Sequence, residues 1–278
     1  MLTLEQKLEH LESALGELPS ALLAFSGGVD SAFLLHVAHE VLGERLTALT
    51  SVSPTNPEAD TAQAVTLARR LGVRHLVIPS NELDVPGYAA NPIDRCYLCK
   101  SRLYEICDAE ARRLGIDVVL DGVNVDDLGD YRPGLRAGTE HEVRHPLAEA
   151  GLGKDEIRTA SRIRGLETWD RPASPCLSSR FPYGTAITAA GLRMVATAED
   201  ALRALGFRTL RVRFHGDEAR VEIAREELAR LADPLLRSAA IDAVRAAGFR
   251  RVAIDPDGFR SGKLNDAIVG RVPSFRVS

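Results

Sequence analysis

The stretch Ser26-Gly27-Gly28-Val29-Asp30-Ser31 decides how this chain folds. A short apolar run over residues 21–25 precedes it, and a helical pattern over residues 31–42 follows it. Two glycines let a backbone approach an anion closely, and the first N–H groups of the new helix point toward that anion. The stretch therefore predicts a phosphate-binding loop. The alternative is an ordinary glycine turn with a capped helix behind it.

The same alternation of strand and helix continues through the first half of the chain. Apolar strands are predicted over residues 46–52, 75–78 and 117–120, and helices over residues 57–71, 97–114 and 154–164. A further helix carries leucines at positions 4, 8, 11 and 15. This order predicts an α/β fold with a doubly wound parallel sheet, helices on both faces and ligands at the carboxyl ends of the strands.

The pattern changes after the last of these helices. Residues 169–185 contain three prolines and little periodicity, which indicates a long functional loop. Beyond it we predict a helix over residues 188–205, strands over 209–215, 219–223 and 252–254, and helices within 226–247. The sequence thus predicts two domains, residues 1–184 and residues 185–278, of which the second is a smaller α+β domain.

Composition narrows the class of partner. The 278 residues include 35 Lys and Arg against 39 Asp and Glu, a net charge of −4, which disfavours nucleic acid as the main ligand. No apolar run reaches the ~18 residues that span a bilayer, and the start of the chain does not resemble a signal peptide. We expect a cytoplasmic protein, without a membrane partner, that acts on small molecules. Its four cysteines suit reduced thiols rather than disulfides.

Two cysteine motifs are candidates for chemistry. In Pro175-Cys176-Leu177-Ser178-Ser179-Arg180 the nearby cation favours the thiolate, which suits a nucleophile. Cys96 and Cys99 lie at the start of a predicted helix and supply two metal ligands. Cys176 is a candidate third ligand, on zinc or on an iron–sulfur cluster, and the alternative is that Cys96 and Cys99 are incidental thiols. Cys107 falls on an apolar helix face and is predicted to pack in the core.

Arginines alternate along a predicted strand of the second domain. Arg211, Arg213 and His215 share one face of that strand. They predict either a clamp for a substrate phosphate or a solvated sheet face whose cross-strand partners are Glu222 or Glu218.

The loop at residues 26–31 resembles the pyrophosphate loop of the PP-loop ATP pyrophosphatases, which include GMP, NAD and asparagine synthetases and tRNA thiolases. No G-x-x-x-x-G-K-[ST] motif of the kinase type is present. Together with the motifs at residues 96–100, 121–134, 174–180 and 211–216, the loop resembles the LarE sulfur transferases over nearly the whole chain.

This resemblance implies an activity. LarE enzymes use ATP, releasing AMP and pyrophosphate, to adenylate a carboxylate of pyridinium-3,5-biscarboxylic acid mononucleotide and convert it to a thiocarboxylate, for the nickel-pincer nucleotide of lactate racemase. Members with cysteines matching Cys96, Cys99 and Cys176 resemble [4Fe-4S] enzymes whose cluster carries an extra sulfide. Members with only the match to Cys176 give up that sulfur and are left with dehydroalanine. The three cysteines here favour the cluster, with sacrifice of Cys176 as the alternative.

The resemblance also implies roles for individual residues and for partners. Cys176 is the candidate catalytic residue, with ATP and Mg²⁺ as cofactors and a homo-oligomer, a hexamer in the family, as the assembly. Predicted nucleotide contacts are Ser26, Gly27, Gly28, Asp30, Ser31, Gly122 and Asn124. Predicted contacts of the substrate phosphate are Ser179, Arg180, Arg211 and Arg213, and Glu199 and Glu222 are candidate metal ligands.

Two other functions fit parts of the sequence. A tRNA thiolase shares the loop and a three-cysteine cluster, but it predicts a basic face that the charge balance does not favour. A nucleotide-binding protein without catalysis, holding a structural zinc at Cys96 and Cys99, would bind ATP and release no pyrophosphate.

Overall fold

A four-stranded parallel sheet forms the centre of the first of two units in the computed structural model, which describes residues 2–129, 133–172, 174–260 and 263. Its strands are β1 (Ala21–Ala24), β2 (Leu46–Val52), β3 (Arg74–Pro79) and β4 (Val118–Leu120), in the order β3-β2-β1-β4. Ala21 pairs with Leu46 on one side and with Val118 on the other. The chain leaves β1 toward β2 and returns on the opposite side at β4, so the crevice between β1 and β4 is the expected place for a ligand.

Helices cover both faces of this sheet, as the sequence predicted. They are α1 (Leu4–Gly16), α2 (Val29–Leu42), α3 (Glu58–Leu71), α4 (Arg95–Leu114), α5 (Val125–Leu128), α6 (Pro133–Glu140), α7 (Pro146–Glu149) and α8 (Lys154–Ile163). Successive residues of β1 point to opposite faces. Leu23 therefore joins a core with α2 and α8, while Leu22 joins a second core with α4.

The observed helix ends follow local sequence signals. Thr3 and Gln6 form a capping box at the start of α1. Gly72 and Gly115 adopt the left-handed conformation directly after α3 and α4, where glycine carries no Cβ penalty. Helix α4 begins at Arg95, two residues earlier than predicted, so Cys96 lies within its first turn.

The second unit is a smaller α+β arrangement. It contains α9 (Ala189–Ala204), β5 (Leu210–His215), β6 (Glu218–Ile223), α10 (Arg225–Leu228), α11 (Pro234–Ala246) and β7 (Arg251–Ile254). Its sheet has the order β5-β6-β7, with β5 antiparallel and β7 parallel to β6.

The units divide the chain at places that differ from the predicted boundary at 184/185. The second unit begins at Pro175 and also contains residues 86–93. Buried Asn91 explains this membership, since its side-chain amide donates to the carbonyls of Phe181 and Pro182 and its own carbonyl accepts from Gly184 N. These bonds join segments some ninety positions apart in the chain, which no local pattern reveals.

None of the helices in the described ranges combines the length and the apolar character that crossing a membrane requires.

Candidate active site

The phosphate loop, residues 26–31, connects β1 to the start of α2. Gly28 is the N-cap of α2, so the free N–H groups of the first helical turn face the loop. Ser26 Oγ and Ser31 Oγ are 3.0 Å apart, and the Ser31 hydroxyl donates to Gly28 O at 3.2 Å. The loop thus brings the predicted serines, glycines and helix terminus together, and this combination can bind an anion.

Two close approaches explain why glycine occupies the loop and the neighbouring strand end. A Cβ on Gly27, whose φ is +76°, would lie 3.0 Å from Ala64 Cβ of α3. A Cβ on Gly122 would lie 2.9 Å from Ser31 N. The end of β4 therefore packs directly against the first turn of α2, at the crevice that the strand order predicts.

An acidic and an amide side chain, Asp30 and Asn124, lie at the start of α2 and just after the end of β4. Asp30 is in the first turn of α2, where a carboxylate suits both the helix dipole and a magnesium ion. Asn124 caps α5 by accepting from Asp126 N at 3.0 Å. Its Nδ2 is buried and has no hydrogen-bond partner among the described residues. A buried donor left in this way is costly, so Asn124 offers a contact for a ligand oxygen or ring nitrogen.

Arg171 also touches the phosphate loop, and the sequence analysis missed it. Its Nη1 donates to Gly27 O at 2.8 Å, and its Nη2 donates to Asp60 Oδ1 of α3 at 3.1 Å. The residues concerned lie 144 positions apart, so no spacing in the sequence could have identified the contact.

Cys96 and Cys99 lie on one face of the first turns of α4. Cys96 is exposed and Cys99 is partly exposed. A spacing of three residues brings both sulfurs to the same side of a helix, and a helix N-terminus favours negatively charged thiolates. The two side chains therefore lie on the same side of α4, and Cys96 and Cys99 stay the predicted ligands of one metal ion or of one face of a cluster.

The buried carboxylate of Asp121 contacts helix α4, the helix that carries Cys96 and Cys99. Asp121, directly after β4, accepts from Tyr104 Oη at 2.6 Å and from His145 Nδ1 at 2.6 Å, and Lys100 Nζ lies 3.7 Å away. Burial alone would raise the pKa of the Asp121 carboxyl, but the His145 hydrogen bond and the Lys100 charge lower it to about 2. The group is therefore a fixed negative charge at neutral pH.

Cys107 packs in the core, which confirms the prediction. Its side chain is buried with α4 and the sheet, and burial raises the pKa of the thiol to about 12. None of the four cysteines, all within the described residues, is in a disulfide.

Arg180 holds the cysteine loop, residues 175–180, in the second unit. It is fully buried, and its Nε and Nη2 donate to the two carboxylate oxygens of Glu199, each at 2.8 Å. Its Nη1 donates to Pro175 O at 2.5 Å and to Cys176 O at 3.0 Å. The Arg180 donors that were predicted to bind a substrate phosphate are thus used within the protein, and two of these hydrogen bonds hold the backbone at Pro175 and Cys176.

The candidate metal ligands Glu199 and Glu222 are paired with arginines. Burial would raise the pKa of Glu199, but the hydrogen bonds and charge of Arg180 lower it. Glu222 lies 2.7 Å from Arg213 Nη2, the cross-strand pairing that the second interpretation of this face predicted. Within the described ranges, no three His, Cys, Asp or Glu side chains form a group that could hold a metal ion.

Arg211 and Arg213 lie with Arg180 in an arginine cluster. Arg213 donates to Ser179 O at 2.9 Å, which brings all four predicted phosphate contacts into one neighbourhood. Burial, and then the charge of Arg180, lower the pKa of Arg211 to about 10. Arg203 also contacts Glu199, so four guanidinium groups lie near the two glutamates, and this excess of basic groups suits an anionic ligand.

Comparisons with known proteins agree with the fold and the loop. A sequence model of the NAD synthase family matches residues 4–85, which include the phosphate loop. An uncharacterised protein of Synechocystis is 44% identical over 262 residues, 94% of this chain and 98% of the relative.

Two further relatives also match over most of their length. The pyridinium-3,5-bisthiocarboxylic acid mononucleotide synthase of Lactiplantibacillus plantarum is 38% identical over 270 residues, 96% of this chain and 97% of the relative. An uncharacterised protein of Methanocaldococcus jannaschii is 30% identical over 240 residues, 86% of this chain and 90% of the relative.

The parallel sheet, the phosphate loop at its switch point and the NAD synthase match define an ATP-dependent enzyme of the PP-loop class. The match to the mononucleotide synthase extends over almost the entire length of both proteins. The chain belongs to the LarE-type sulfur transferases within that class.

Proposed function

We propose that this enzyme adenylates a carboxylate of pyridinium-3,5-biscarboxylic acid mononucleotide with ATP and then replaces the AMP by sulfur, giving a thiocarboxylate. The observation that carries the proposal is the 38% identity to the named synthase over 96% of the chain, with the phosphate loop intact. Class membership alone would leave the acceptor open, because PP-loop enzymes act on several carboxylates and carbonyls.

The first step activates the carboxylate. One of its oxygens attacks the α-phosphorus of ATP, the bond from that phosphorus to the bridging oxygen breaks, and pyrophosphate leaves. The N–H groups at the start of α2 and the hydroxyls of Ser26 and Ser31 take up the charge that develops on the leaving group. Asp30 is the group suited to hold the Mg²⁺ that accompanies ATP. Gly122 and Asn124 border the nucleotide at the end of β4.

The second step introduces sulfur. A sulfur nucleophile attacks the activated carbonyl carbon, the bond from that carbon to the AMP oxygen breaks, and AMP leaves. A carboxylate alone is a poor electrophile with a poor leaving group, which is why adenylation comes first.

A [4Fe-4S] cluster is the proposed carrier of that sulfur. Such clusters are held by cysteine thiolates, and Cys96, Cys99 and Cys176 are accessible thiols of this kind, whereas Cys107 is buried. Bound by these three cysteines, the cluster would supply one iron for an additional sulfide. Helix α4 would present two of the ligands from its first turns, and Arg180, which donates to Cys176 O, would hold the main chain at the third.

Sacrifice of Cys176 is the second candidate route. Its thiolate would attack the activated carbonyl, and removal of its α-hydrogen with cleavage of its Cβ–Sγ bond would leave dehydroalanine and the thiocarboxylate. The partly exposed thiol, and the hydrogen bond that Cys176 O accepts from Arg180, are compatible with this route. It predicts a protein mass lower by about 34 Da after turnover, the mass of H₂S.

The arginine cluster is the proposed site for the substrate's phosphate. Arg211 and Arg213 supply positive charge, Ser179 supplies a neutral hydroxyl, and Arg180 supports the loop beside them. The homo-oligomer and the cytoplasmic location remain predictions from the sequence.

One assay tests the reaction. Anaerobically reconstituted protein is incubated with ATP and the biscarboxylate mononucleotide, and nucleotides, pyrophosphate and product are measured by mass spectrometry. We expect AMP, pyrophosphate and a thiocarboxylate, and loss of product in Cys96→Ser and Cys176→Ser. Cys107→Ser is the matched control and keeps activity and iron content. Release of ADP, or of no AMP, contradicts the proposal, and loss of about 34 Da from wild type supports sacrifice of Cys176. Strongly salt-dependent binding of bulk tRNA would instead favour a tRNA thiolase.

A further inference from the structure

Arg171 bridges the phosphate loop and helix α3. Its guanidinium donates from Nη1 to Gly27 O at 2.8 Å and from Nη2 to Asp60 Oδ1 at 3.1 Å. The other oxygen of Asp60 accepts from Ser174 Oγ at 2.6 Å. We call Arg171, Asp60 and Ser174 the clasp. All its atoms lie in the first unit.

The bond to Gly27 O controls the direction of an N–H group. In a trans peptide the C=O and the N–H of the next residue point to opposite sides, and the peptide between Gly27 and Gly28 is trans. Arg171 holds the Gly27 oxygen on its own side, so Gly28 N–H is turned to the other side, toward Ser26 Oγ. That distance is 3.4 Å, too long for a strong hydrogen bond, and Gly28 N–H keeps its capacity to donate to a phosphate oxygen.

The clasp itself is fixed by its surroundings. Arg158 of α8 donates to the carbonyls of Trp169 at 2.6 Å and Arg171 at 2.8 Å, which secures the main chain that carries the guanidinium. Asp60 lies one helical turn before Ala64, the residue against which Gly27 packs, so both hold the loop from one face of α3. The guanidinium is thus held by contacts with both a side chain and the main chain.

We infer that Arg171 is a positioning residue for the pyrophosphate part of ATP. It touches no substrate atom and acts through the Gly27–Gly28 peptide, whose N–H it aims at the leaving group. The inference rests on the proposed function, in which the phosphate loop binds that part of the nucleotide. Arg171 therefore affects the affinity for pyrophosphate and ATP. It does not affect the affinity for AMP, because AMP lacks the β- and γ-phosphates that the loop holds.

Binding measurements separate this role from a general effect on folding. Affinities for magnesium pyrophosphate, magnesium ATP and AMP are measured by calorimetry, together with thermal unfolding, on wild type, Arg171→Ala, Arg171→Lys and Arg45→Ala. Arg45 is the matched control, since it donates to a backbone carbonyl, Leu18 O at 2.5 Å, in the same unit but away from the loop.

We expect Arg171→Ala to weaken binding of pyrophosphate and ATP about tenfold, which is the scale of one hydrogen bond to a charged group. AMP binding stays within about twofold of wild type, the range of a difference below 0.5 kcal/mol. Arg171→Lys recovers part of the loss, because an ammonium reaches Gly27 O but does not serve Asp60 at the same time. Arg45→Ala keeps all three affinities.

Two results overturn the inference. One is wild-type affinity for pyrophosphate in Arg171→Ala. The other is an equal loss for AMP and pyrophosphate in both Arg171 variants, which indicates a structural role alone. Wild-type protein that binds neither ATP nor pyrophosphate would instead overturn the proposed function, and this inference with it.

Discussion

The four cysteines differ in their surroundings, and this difference is measurable. Burial raises the pKa of the Cys107 thiol to about 12, whereas Cys96, Cys99 and Cys176 reach solvent. Because the thiolate is the reactive form, a thiol reagent at pH 8 should modify three cysteines of the metal-free native protein rapidly and the fourth only on unfolding. In Cys107→Ser the number of rapidly modified cysteines should stay at three. Rapid modification of four cysteines in the wild type would show that Cys107 is accessible.

Asp121 makes the stability of the first unit depend on pH in the acidic range. Its pKa falls from the ordinary value of 3.8 to about 2 in the folded protein, so its contribution is present above about pH 4 and is lost as the pH falls toward 2. A difference of this size corresponds to about 2 kcal/mol. Asp121→Asn should therefore lower the unfolding free energy at pH 7 by about that amount or more. Urea denaturation at pH 3 should show a smaller difference in unfolding free energy between variant and wild type. A difference that stays constant with pH would contradict the lowered pKa of Asp121.

At the scale of elements, the contact between the end of β4 and the start of α2 gives a steric prediction. A Cβ at Gly122 would lie 2.9 Å from Ser31 N, so Gly122→Ala must push the strand end away from the phosphate loop. We expect a stability loss of about 1–3 kcal/mol, typical of overpacking, with at least tenfold weaker ATP binding by calorimetry.

Gly129→Ala is the control for that substitution. Gly129 has an ordinary φ of −84°, and among the described residues the nearest atom to its added Cβ would be Asp126 O at 3.9 Å. Both stability and ATP affinity should stay close to wild type. Equal effects of the two alanines on ATP binding would show that the fit at Gly122 has no special importance.

The elements themselves could be predicted because their signals are local. Strand β2 has the predicted bounds, and the other predicted elements of the first unit were found within a few residues, since apolar periodicity and glycine turns act over short stretches. The phosphate loop belongs to this group, because strand, turn and helix are continuous in sequence.

The parts of the site that were missed depend on distant contacts. Arg171 reaches Gly27 across 144 positions, and nothing near Arg171 indicates that it does so. Arg180 was selected for its charge, but its role follows from complete burial beside Glu199, which depends on how α9 packs on the cysteine loop. Residue type and spacing identify candidate chemistry, and burial then decides which groups remain available to a ligand.

At the scale of the whole molecule, the two units are interleaved along the chain. The first comprises residues up to 85 and from 94 to 174, and the second takes the short stretch between them. The sequence prediction of two consecutive domains missed this order because the stretch at 86–93 has no periodicity of its own and acquires its structure from residues 181–187.

This order limits how the protein can be dissected or recombined in the laboratory. A gene shortened after codon 174 would still encode Asn91 but not the carbonyl groups of Phe181 and Pro182 that receive its amide hydrogens. The complementary fragment would lack residues 86–93 and with them Tyr88, whose hydroxyl lies 2.7 Å from Ser178 Oγ. Obtaining either half intact requires two cuts and a bridging linker, and in a chimaera of two relatives residues 86–93 have to come from the same parent as the carboxyl-terminal half.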